Sequence, residues 1–172
     1  REDSPWSAGA FGLSPVVDEH QQGLLSKADC LLAVGLDPVE LRPNWLPGWQ
    51  ASLPVISVDP YGQPDLLGNI EADLRGDVPS ILRTLSEMVS CSAWTTADVA
   101  RHCATLDATM ADGPSGPAST LRAIQAACPT QTTVALDVGA HRITASHVWK
   151  CTEPRQLLQS NGFSSMGFGL PA

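Results

Sequence analysis

Two kinds of apolar pattern alternate along the chain. Short continuous runs stand at Cys30-Leu-Leu-Ala-Val-Gly35 and Pro54-Val-Ile-Ser-Val-Asp59. Runs of this length bounded by turn residues suit strands covered on both faces, as in parallel sheets. Glu71 to Gly76 predicts a third short strand, Thr132 to Asp137 a fourth and Arg155 to Gln159 a fifth. Between the runs, apolar residues recur at helical spacing. Val78, Ile81, Leu82, Leu85, Met88 and Val89 make one stripe after Asp77, a ready N-cap, with Pro79 tolerated in the first turn. Val99, Cys103, Leu106 and Met110 predict a helix over 95–110, and Leu121, Ile124 and Cys128 a shorter one stopped by Pro129. A helix from Val16 to Ala28, on Val17, Leu24 and Ala28, precedes the first strand, and another follows Asp137 through about Lys150.

Strands alternating with helices predict an α/β fold: a parallel-sheet, Rossmann-like domain lacking its first strands, then the N-terminal part of a second α/β domain. Asp112-Gly-Pro-Ser-Gly-Pro117 breaks the pattern. The expected division is therefore 1–90 for the first domain, 91–117 for a linker with one helix, and 118–172 for the second. Residues 5–14 and the Pro- and Trp-bearing stretch from Pro38 to Trp49 read as loops. Trp45 and Trp49 read as packing residues, Glu40 and Arg42 as loop charges.

With 172 residues, 43% hydrophobic and 16% charged, the chain has enough apolar surface to fold and too little charge for disorder. No apolar run approaches the ~20 residues of a membrane helix. The net charge of −8 argues against a nucleic-acid partner, which needs clustered Lys and Arg. Five cysteines without C-x-x-C spacing disfavour zinc and a disulfide framework. Cys30 and Cys128 read as buried thiols, which implies a cytoplasmic protein. His20 and His102 read as solvated, and His141 and His147, six apart, do not share a helix face.

Two segments could carry chemistry. Asp137-Val-Gly-Ala-His141 turns from a strand into a helix, where free N–H groups attract an anion and His141 could add a hydrogen bond to a phosphate. On these residues alone an ordinary βα turn with a surface histidine is the commoner alternative. Ser160-Asn-Gly-Phe-Ser-Ser-Met-Gly-Phe-Gly-Leu-Pro-Ala172 places three glycines around a methionine, just after a strand. Backbone this free can wrap a flat ligand, or simply form a loop with Met as filler.

The string Ser-Ser-Met-Gly-Phe-Gly-Leu-Pro-Ala, preceded by Asp-Val-Gly-Ala-His and a strand, resembles the thiamine diphosphate-dependent enzymes of the acetolactate synthase and pyruvate decarboxylase type. Ala28 to Gly35, Val55 to Asp59 and Ala72 to Asp77 resemble the later strands of that family's central domain. The resemblance implies most of a central domain, a linker and the start of the diphosphate-binding domain. It implies cofactor contacts from Gly139, Ala140 and His141 to the diphosphate. It also implies contacts from Ser164, Ser165 and Met166 to the pyrimidine, through the Ser164 carbonyl, the Met166 N–H and a Met166 side chain wedged between the rings. Ala140 stands where the family more often carries Gln, and Ser164 where a smaller residue, often Gly, is common.

The resemblance further implies a lyase or carboligase acting on a 2-keto acid, with thiamine diphosphate and Mg²⁺ in the complete protein. The activating glutamate is expected upstream, and the Gly-Asp-Gly metal motif downstream. Gly76-Asp77 and Ala111-Asp-Gly113 do not stand in its context. No catalytic residue and no metal ligand is therefore expected in this chain, which alone should be inactive. The rest of the polypeptide and a second subunit would complete the site, and raw sheet edges would otherwise promote self-association. The alternatives are a non-catalytic remnant or regulatory ligand-binding module of the same fold, and a generic nucleotide-binding module. No Gly-x-Gly-x-x-Gly follows a strand to favour the last.

Overall fold

The computed structural model describes residues 2–12, 14–36, 53–62, 70–89, 93–160 and 162–172. The elements run α1 (Pro15–Leu25), β1 (Leu31–Val34), β2 (Val55–Asp59), β3 (Ile70–Arg75), α2 (Val78–Met88), α3 (Thr96–Thr109), α4 (Pro117–Ala127), β4 (Val134–Leu136), α5 (Ala140–Val148) and β5 (Leu157–Gln159). This is an α/β fold with parallel sheets. The expected loop from Pro38 to Trp49, with Glu40 and Arg42, lies outside the described residues, as does Cys91.

The chain forms two compact units, residues 21–93 and residues 1–20 with 94–172. These bounds differ from the divisions expected at 90 and 117. Residues 2–20 and α3 belong with the C-terminal half because hydrogen bonds far apart in sequence hold them there.

In the unit of residues 21–93, β1, β2 and β3 lie side by side in that order, all parallel. β2 is central, and Val55 and Val58 are fully buried. The ladder to β3 slips by one residue between Val55 and Ile56, so Ile56 faces Ala72. Pro60 ends β2, and the Asp59 carboxylate accepts from the N–H groups of Tyr61 and Gly62 at 2.8 and 3.1 Å to close the turn. Asp77 caps α2 by accepting from Ser80 N–H at 3.0 Å. The Ser80 hydroxyl first, and then that N–H, hold the Asp77 carboxyl below its ordinary pKa. The apolar run of β1 is covered on one face only. Ala33 is buried, whereas Leu32 and Val34 are exposed. Cys30 is likewise exposed, correcting the expectation of a buried thiol. It stands just before β1, outside the paired residues.

In the other unit, β4, α5 and β5 make a parallel strand–helix–strand turn, with α4 against α5. β4 begins only at Val134, whose N–H donates to Gln156 O at 2.8 Å. The buried Gln156 side chain braces the strand starts. It accepts from Thr152 and Glu153 N–H and donates to Thr130 O at 2.7 Å. The N-terminal segment, read as loop, is irregular but tied down. Glu2 N–H donates to Cys151 O, Cys151 N–H to the Glu2 carboxylate, and Cys103 Sγ to Ser7 O. His20, expected to be solvated, is half-buried with Nε2 at 3.0 Å from Thr109 Oγ1. The same packing covers it.

His147 lines a cavity of about 20 Å³ with Val17, Cys103, Asp107 and Lys150. Its Nε2 is buried with no partner among the described residues. Burial first, and then the Lys150 charge, pushes its pKa below the ordinary value. The unfolded chain takes up that proton more readily, so stability is full above about pH 6.5 and falls as pH drops through that value. Thermal melts between pH 7.5 and 5.5 should show a falling midpoint, flattened by His147→Phe. In the other unit, Val58→Ala should cost about 2 kcal/mol, read by denaturant titration, because two fully buried methyl groups are lost.

Candidate functional site: the carboxyl ends of β4 and β5

β4 ends at Leu136, and Asp137 leaves the strand with its carboxylate turned on its own backbone. Oδ1 accepts from Val138 N–H at 2.7 Å. The chain then turns at Gly139, with φ +156° and no side-chain cap on the helix it starts. The helix begins at Ala140 rather than at Val138 for this reason. Gly139, Ala140 and His141 are all exposed, so the first turn of α5 presents an uncapped N-terminus to solvent.

The second segment leaves β5. Gly167 N–H donates to both Asp137 oxygens, at 2.8 and 3.0 Å. Val138, Gly167 and Phe168 N–H groups together hold the Asp137 carboxyl below its ordinary pKa, Val138 most strongly. Gly169 lies so close that a Cβ there would stand 2.9 Å from Asp137 N. Ser165 N–H donates to Ser160 Oγ at 3.2 Å. Ser164 has φ +47°, a left-handed conformation that costs a residue with a Cβ roughly 1–2 kcal/mol. Beneath this loop lies Arg142, only 5% exposed. Its Nη1 donates to Ser160 O at 2.7 Å and reaches Ser164 Oγ at 3.5 Å.

The six residues expected from sequence therefore sit at the carboxyl ends of two adjacent parallel strands, where open α/β sheets bind ligands. Asp137 joins the two segments that carry them. Met166 is 86% exposed and Phe163 96% exposed, so apolar surface stands free beside the α5 N-terminus. The donor set suits a ligand with an anionic end and an apolar ring. The helix N-terminus and the exposed His141 meet the first, and Met166 the second. Among the described residues no group of three or more His, Cys, Asp or Glu could hold a metal ion, and no helix is long and apolar enough to cross a membrane.

Sequence reasoning gave no role to Asp137 or Arg142. For Arg142 a signal was present. Arg142, Ala145, Val148 and Trp149 fall at i, i+3, i+6 and i+7 on the buried face of α5 and its cap. For Asp137 none was, because its partners in the loop lie thirty residues downstream.

Residues 137–172 match the family described as "Thiamine pyrophosphate enzyme, C-terminal TPP binding domain". Three curated relatives resemble most of the chain. They are an acetolactate synthase of Bacillus subtilis (27% identical over 163 residues, 86% of this chain), the probable 2-ketoarginine decarboxylase AruI of Pseudomonas aeruginosa (28% over 181 residues, 99%), and the large subunit of acetolactate synthase isozyme 2 of Escherichia coli (27% over 179 residues, 99%). These matches show that the chain resembles thiamine diphosphate-dependent enzymes, with the family's binding-domain model matching its last thirty-six residues. The chain covers 28%, 30% and 31% of those relatives' lengths.

Gly169→Ala tests the close approach at this site. A Cβ forced against the Asp137 backbone should cost about 1–3 kcal/mol, read by thermal or denaturant unfolding, whereas alanine at the open helical position Gly23 should stabilise by up to about 1 kcal/mol.

Proposed function

We propose that the protein carrying this chain is a thiamine diphosphate-dependent lyase or carboligase acting on a 2-keto acid. Residues 137–172 form the part of it that holds the cofactor. What supports the reading most is one observation. The segment matching the thiamine pyrophosphate-binding family carries both the uncapped helix N-terminus after β4 and the exposed methionine after β5, and the Asp137 carboxylate ties the two strand ends together. In this reading residues 1–90 correspond to the central domain, 91–117 to the linker, and 118–172 to the start of the diphosphate-binding domain.

The chain's own residues bind and orient. The Gly139-Ala-His141 turn receives the diphosphate through backbone N–H groups and the His141 ring. Ser164 offers its carbonyl to the pyrimidine amino group, Ser165 holds the loop, and Met166 supplies an N–H to the ring and a side chain to wedge against it. Bound there, thiamine diphosphate supplies the electron sink for cleavage beside a ketone. The activating glutamate and the ligands for Mg²⁺ come from elsewhere in the complete protein, a second subunit included. Residues 1–172 alone are then inactive toward 2-keto acids. The cytoplasm is the compartment that suits free thiols.

Calorimetric titration of the complete protein in magnesium buffer tests this. Thiamine diphosphate should bind saturably and adenine nucleotides should give no heat. Met166→Ala should weaken thiamine diphosphate about tenfold, roughly 1.4 kcal/mol. Nucleotide binding with thiamine diphosphate silent would overturn the reading in favour of a nucleotide module.

A further inference from the structure

Met166 sits between two tied amides. The N–H before it in the chain, on Ser165, is held by Ser160 Oγ, and the N–H after it, on Gly167, by the Asp137 carboxylate. Ser160 is itself fixed, because its carbonyl accepts from the buried Arg142 guanidinium at 2.7 Å. The same guanidinium reaches the hydroxyl of Ser164, whose backbone is left-handed. Arg142 is in turn set by its place on the buried face of α5, where Ser146 Oγ donates to Arg142 O at 2.9 Å with Gln159 Oε1 also in reach at 3.3 Å. Two charged side chains of opposite sign thus act on the loop, Arg142 at Ser160 and Ser164 and Asp137 at Gly167. Burying an arginine is costly without partners, and Ser160 and Ser164 of the loop are among those it has here.

We infer that Arg142 and Asp137 are positioning residues. Together they hold residues 162–168 in one shape, with Ser164 left-handed and Met166 free-standing, before any ligand arrives. Arg142 is what makes a serine tolerable at position 164. A glycine there would adopt φ +47° unaided, so loop order in its presence should depend less on the guanidinium. Preorganisation of this kind spares the ligand the cost of ordering the loop on binding. The inference rests on the proposed function only for the identity of that ligand. The shape of the loop stands apart from it.

Amide hydrogen exchange on the complete protein, without cofactor, is the test. In Arg142→Met, Ser165 N–H should exchange at least tenfold faster, while amides of β1–β3 keep their rates. In Asp137→Asn, the same acceleration should appear at Gly167 and Phe168. Adding Ser164→Gly to Arg142→Met should restore much of the protection at Ser165, which a merely structural arginine would not allow. Unchanged exchange in both single variants, or no rescue by glycine, would overturn the inference. If Arg142→Met does not fold, Arg142→Lys keeps the charge and loses the fork. It should still accelerate Ser165, and normal protection there would count against the inference. Exchange needs no ligand, so this result is independent of whether thiamine diphosphate binds in the calorimeter.

Discussion

The carboxylate of Asp137 is the constraint on which the C-terminal site depends. It stands at the end of β4 and accepts from the next residue's N–H and from amides of a loop that returns thirty residues later. That tie joins the loop after β5 directly to the turn after β4. The tie also explains the composition of the loop. Gly169 carries no Cβ because the Asp137 backbone occupies the space. The depressed pKa of Asp137 is the same fact seen from the proton's side, since an anion with several N–H donors holds its charge.

Around that tie the two ends of the β4–α5–β5 turn do different work. At the strand starts, Gln156 spends both ends of its amide on backbone, and the N-terminal segment is strapped to Cys151 and Cys103. That end is braced. At the strand ends the backbone is held, but Met166, Phe163 and the first turn of α5 remain open. A rigid base and an open rim are what a ligand site on an α/β sheet requires. The match to the thiamine pyrophosphate-binding family agrees with this polarity, since the matched segment holds the rim and the helix beneath it.

Much of this was legible in the sequence because it is local. Asp77 before an i, i+3, i+4 stripe announced α2, and the runs at 31–34 and 55–59 announced β1 and β2. The segments holding Gly139 to His141 and Ser164 to Met166 were marked by their glycines and by the family's string. What escaped depends on distant partners. Nothing near Cys30 says that the sheet leaves it uncovered, and nothing near His20 says that Thr109 will meet it. Element ends escaped for a similar reason. β4 starts two residues late because Thr132 N–H is taken by Pro129 O, and pairing begins only where Gln156 O is in reach. The role of Asp137 belongs to this class, and so do the loop partners of Arg142, although helical spacing marked its buried place.

The central claim is that one carboxylate brings two segments to a single ligand face. The most direct measurement is an amide chemical-shift titration of the ¹⁵N-labelled protein with thiamine diphosphate. The account predicts that Ala140 and His141 on one side and Met166 on the other shift together, with one shared affinity. Shifts confined to one of the two segments, or lying wholly elsewhere, would contradict it.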